Sequence, residues 1–113
     1  MGNVILVQNV ISRIAHGLIG LDLFTQKKEG NDYLRDFLTL SPMELQEAFT
    51  VSPGTKLVPN SGRNSLEEWT MFINKIQGAQ EVIKSIENAD EHEIKRVAGD
   101  LQEAVGFFYS YTR

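Results

Sequence analysis

The chain has 113 residues, no cysteine, a formal net charge of −4, 42% hydrophobic residues and 23% charged residues. That length fits one domain around one core, and the missing thiols exclude a disulfide framework, thiol chemistry and thiolate metal sites. The acidic balance argues against non-specific binding to nucleic acid, which needs a surplus of Lys and Arg on one face.

Near the N-terminus, Val4, Val7, Ile11, Ile14, Leu18 and Leu21 step by three and four. That spacing predicts a helix over about 4–23. Val10, Ala15 and Ile19 widen its apolar stripe, and only Asn9, Ser12, Arg13 and His16 form a clear polar side. Gln8, Asn9, Arg13 and His16 interrupt any run long enough to span a bilayer, and no basic region precedes the apolar one. Leu6 stands where a myristoylation signal needs Ser or Thr. The expectation is a cytoplasmic chain with no membrane association. A helix that is apolar over most of its circumference needs more than one neighbour, so it is expected to be central or to lie at a subunit interface. Gly17 and Gly20 each cost about 1 kcal/mol relative to Ala inside a helix. They mark where another helix is expected to cross.

The segment TQKKEGN ends this helix, with Gly30 the expected stop and Asn31 the expected cap of a short helix carrying Tyr33, Leu34, Phe37 and Leu38. Ser41-Pro42-Met43-Glu44 has the form of a capping box with proline at the first helical position. It predicts a helix over about 42–50 that offers Leu45 and Phe49 to the core.

Ser52–Ser65 reads SPGTKLVPNSGRNS, with two glycines, two prolines, Lys56 and Arg63, and no acid. It lacks the Gly-x-x-x-x-Gly-Lys-[Ser/Thr] spacing of a phosphate loop. The favoured reading is a solvated connection whose glycines and prolines shape the turns; a middle option is that Lys56 and Arg63 meet an acidic partner surface. A third option is a scaffold subunit that touches nucleic acid through this loop.

Ser65-x-x-Glu68 opens a second capping box. Leu66, Trp69, Ile73, Ile76, Ile83 and Ile86 then make a stripe to about residue 87. Asn88-Ala89-Asp90 is a tight link with Asp90 as the next cap, and Ile94, Val97, Ala98, Leu101, Val105 and Phe108 continue the helical pattern. So short a link predicts two long antiparallel neighbours. The fold class expected is all-α, a small helical bundle forming a single domain over 1–113. Its parts are two long C-terminal helices, an apolar N-terminal helix and short connecting helices.

Catalytic patterns are sparse. No Gly-x-Ser-x-Gly elbow occurs, and neither His16 nor His92 has an acid three residues before it. Glu44-x-x-Glu47 and Glu87-x-x-Asp90 are the pairs of interest, each expected to place two acids one turn apart on a helix, able to hold Mg²⁺ between helices. In this they resemble the helical nucleoside-triphosphate pyrophosphatases. The resemblance implies Mg²⁺-dependent nucleotide hydrolysis, although the two pairs lie farther apart than in that family. Phe107, Phe108, Tyr109 and Tyr111 form an aromatic end, with Phe108 on the core stripe. Phe107, Tyr109 and Tyr111 are expected to include a protein contact. The leading expectation is a non-catalytic protein-interaction or adaptor module without cofactor. It self-associates through helix 1, at Val7, Ile11 and Leu18.

Overall fold

The apolar stripes become helices that pack around one core. A computed structural model describes residues 2–50 and 65–109. In chain order the helices are α1 (Gly2–Thr25), α2 (Asn31–Leu38), α3 (Pro42–Thr50), α4 (Ser65–Lys84) and α5 (Glu91–Tyr109), with a 3₁₀ turn at Ile86–Asn88. No strand occurs among the described residues, and the fold is an all-α bundle. None of the described helices is long and apolar enough to cross a membrane.

The ends of the helices follow local chemistry. Ser41 and Glu44 cap α3 reciprocally: the Glu44 N–H donates to Ser41 Oγ at 3.1 Å, and the Ser41 N–H donates to Glu44 Oε1 at 3.2 Å. Asp90 Oδ1 accepts from the Glu93 N–H at 2.7 Å and starts α5. The stop after α1 differs from the expectation. Lys27 rather than Gly30 adopts the left-handed conformation, with φ 59°. The Lys28 N–H reaches back to the Leu23 carbonyl at 2.8 Å, and the Lys27 N–H to that of Phe24 at 3.0 Å. This is the paired hydrogen-bond closure of a Schellman end. Gly30 instead precedes α2, taking the cap position expected of Asn31, with φ −138°. It is needed there for space, because an added Cβ would come within 2.9 Å of Leu23 Cβ.

α1 is the central stave, packed against α2, α3 and α5. It buries Val7, Val10, Ile14 and Leu21. Leu34 and Phe37 of α2, Leu45 of α3, and Leu40 between them close one side. α4 supplies Trp69, Phe72, Ile73, Ile76, Ala79 and Ile83; α5 supplies Ile94, Val97, Leu101, Ala104 and Phe108. Each fully buried large apolar side chain contributes about 1.5–3 kcal/mol. α4 and α5 run antiparallel. Trp69 stacks edge-on against Phe108 near one end of the pair, and Lys75 reaches Asp100 and Glu103 farther along.

Gly17 and Gly20 mark the crossing of α2. A Cβ on Gly17 would lie 2.8 Å from Phe37 Cγ, and one on Gly20 would lie 2.6 Å from Leu34 Cγ and 3.1 Å from the Leu34 backbone nitrogen. The crossing brings two backbone carbonyls at the end of α2 to a buried side chain of α4. Gln80, 8% exposed, donates from Nε2 to the Leu40 carbonyl at 2.7 Å and the Phe37 carbonyl at 3.2 Å. Trp69 Nε1 likewise donates to the Leu45 carbonyl at 3.1 Å. The Leu40 carbonyl lies just past α2, the Phe37 carbonyl also accepts from the Leu40 N–H at 3.1 Å, and the Leu45 carbonyl lies within α3.

Two predictions follow from this packing. Gly20→Ala should lower stability by about 1–2 kcal/mol, because overpacking outweighs the gain in helix propensity. Gly78→Ala and Gly99→Ala, where an added Cβ meets nothing within 4 Å, should raise stability by up to about 1 kcal/mol each. Urea midpoints of the three variants check this, and equal signs at all three positions would refute the close crossing. Gln80→Leu should cost about 1–3 kcal/mol, since the Leu40 carbonyl loses its side-chain donor and the Phe37 carbonyl loses one of two donors. Thermal unfolding beside Gln77→Leu, a half-buried position on the same helix, measures it.

Candidate interaction surfaces

The polar side of α1 is spent on holding the short helices. Arg13 Nη1 donates to both oxygens of Glu44, at 2.9 and 2.8 Å. Ser41 donates to the same carboxylate from its backbone N–H. Burial alone would raise the Glu44 pKa, but the Ser41 N–H and the Arg13 guanidinium outweigh it and hold the carboxyl below its ordinary value. One turn along, His16 Nδ1 donates to Asp36 Oδ2 at 2.5 Å, and the Tyr33 ring meets the imidazole edge-on at 5.4 Å between centroids. Sequence inspection missed the His16–Asp36 pair because its acid comes from α2, twenty residues away. Nothing in the spacing along α1 signals it.

These contacts bear on the acids considered for Mg²⁺. Glu44 is already engaged by Arg13 and Ser41, so a cation there would have to displace a guanidinium. Glu47 is exposed on α3. Glu87 and Asp90 do not share a helix face, in contrast to the expectation. Glu87 lies in the 3₁₀ turn and Asp90 between that turn and α5, where it caps the first turn. α4 ends at Lys84 and the backbone is extended at Ala89, so no one helix carries both. Among the described residues, no group of three or more His, Asp or Glu gathers as a metal site.

Of the residues expected to meet a partner, Lys56, Arg63 and Tyr111 lie outside the described residues. Phe107 is half-buried within the chain, its ring stacked on Phe72 at 4.4 Å and edge-on to Trp69 at 5.9 Å. Its stack on Phe72 extends the core along α5 beside Phe108. Tyr109 is 55% exposed. Between α4 and α5 an open groove of about 820 Å³ is lined by Met71, Asn74, Lys75, Gly78, Arg96 and Asp100, among others. Most of its lining residues are polar, although the larger part of the surface they expose into the groove is apolar. Lys75 spans it to Asp100 at 4.0 Å and Glu103 at 3.6 Å, and Arg96 approaches Asp100 at 3.5 Å.

The apolar surface of α1 lies on its outward face. Val7, expected at a subunit interface, is 1% exposed and covered by its own chain. α2, α3 and α5 together cover more of the circumference of α1 than the width of its apolar face suggests. Ile11, Ala15 and Leu18 are half-buried, and Ile19 is 42% exposed. At 100° per residue these four fall on one side of the helix, with exposed Gln8, Ser12 and Asp22 among them.

Glu44→Gln should reduce stability at pH 7 by about 1 kcal/mol, the scale of a helix cap joined to a partly exposed ion pair. The folded pKa of Glu44 is lowered, so its contribution is complete above the ordinary carboxylate value near ~4.3 and fades as pH falls through the folded value. Denaturant titrations from neutral to acid pH should show the gap between wild type and variant closing only in acid. A gap of the same size throughout would separate Glu44 from the acid response.

No family model, curated protein or solved structure matches this chain, so its own surfaces bear on what it does.

Proposed function

We propose that this chain is a non-catalytic protein-interaction module that associates with itself through the outward face of α1. The observation that carries the reading is the strip Ile11, Ala15, Leu18 and Ile19, which stays partly open to solvent after the fold has covered Val7, Val10, Ile14 and Leu21 of the same helix. Lengthwise apolar strips on a helix are suited to another helix, which inserts its side chains between theirs. The polar residues beside the strip give it a mixed character, as transient and modest interfaces have. Tyr109, exposed on the last turn of α5, supports a further contact near the aromatic end. The cysteine-free composition suits a reducing compartment and supports the cytoplasm as its place of action.

Sedimentation at micromolar concentrations tests the reading. The wild type is expected to show a concentration-dependent dimer, and Ile19→Glu to shift it to monomer with little change in thermal stability, since that side chain is already largely exposed. A single 12.7 kDa species throughout the concentration range would overturn self-association.

A further inference from the structure

We draw no further inference here: the strongest candidate, the open groove of about 820 Å³ between α4 and α5, carries none, because Lys75, Arg96, Asp100 and Glu103 already pair with one another along it and nothing in the structure shows what would occupy it.

Discussion

Gly17 and Gly20 give α1 a surface so low that Phe37 and Leu34 of α2 occupy the space two Cβ atoms would need. The rest of the molecule depends on that approach. It holds α2 against the middle of α1, and the chain leaving α2 then passes under α4 within reach of Gln80. Without the close crossing, the Leu40 carbonyl would lose the Gln80 donor, and the Phe37 carbonyl would keep only the Leu40 N–H. Apolar shape comes first here, and the polar contacts complete it.

The same crossing explains why Arg13 and His16 face the short helices, while Asn9 and Ser12 on the same polar side stay exposed. Arg13 and His16 lie on the side that α2 and α3 cover, and each finds a carboxylate there, Glu44 and Asp36. Partly exposed pairs of this kind contribute little to stability taken singly. Their effect is to fix which way the short helices lie, since two pairs one turn apart allow only one register. α3 is held further by the Ser41–Glu44 cap and by Trp69 Nε1 at its Leu45 carbonyl. Glu44 serves both the cap and the ion pair, so one carboxylate links the start of α3 to the centre of the bundle.

The outward face of α1 is what remains once these demands are met. α2 and α3 take Arg13, His16 and the glycines, and α5 packs against α1 as well. The residual strip is half-covered, which is why it is narrower than the apolar face of the isolated helix. The groove between α4 and α5 differs in kind, because Lys75, Arg96, Asp100 and Glu103 already neutralise one another across it.

Periodicity and caps by themselves determined the helices of this protein. Ser41-Pro42-x-Glu44 and Asp90 begin helices where side-chain oxygens accept from free N–H groups, and the stripes of α1, α4 and α5 name most of the buried residues. These are local effects, decided within four residues. Gly17 and Gly20 also announced a crossing, since glycine inside a helix needs a compensating contact. Only the tertiary structure decided what crossed there and what followed. The His16–Asp36, Arg13–Glu44 and Gln80–Leu40 contacts join residues twenty or more positions apart, and no spacing along one helix encodes them. The same holds for Val7 and Phe107. A stripe wider than one neighbour can cover shows that residues must be buried. Whether the cover comes from the same chain depends on how closely the helices pack, which is set by side-chain shapes meeting in three dimensions.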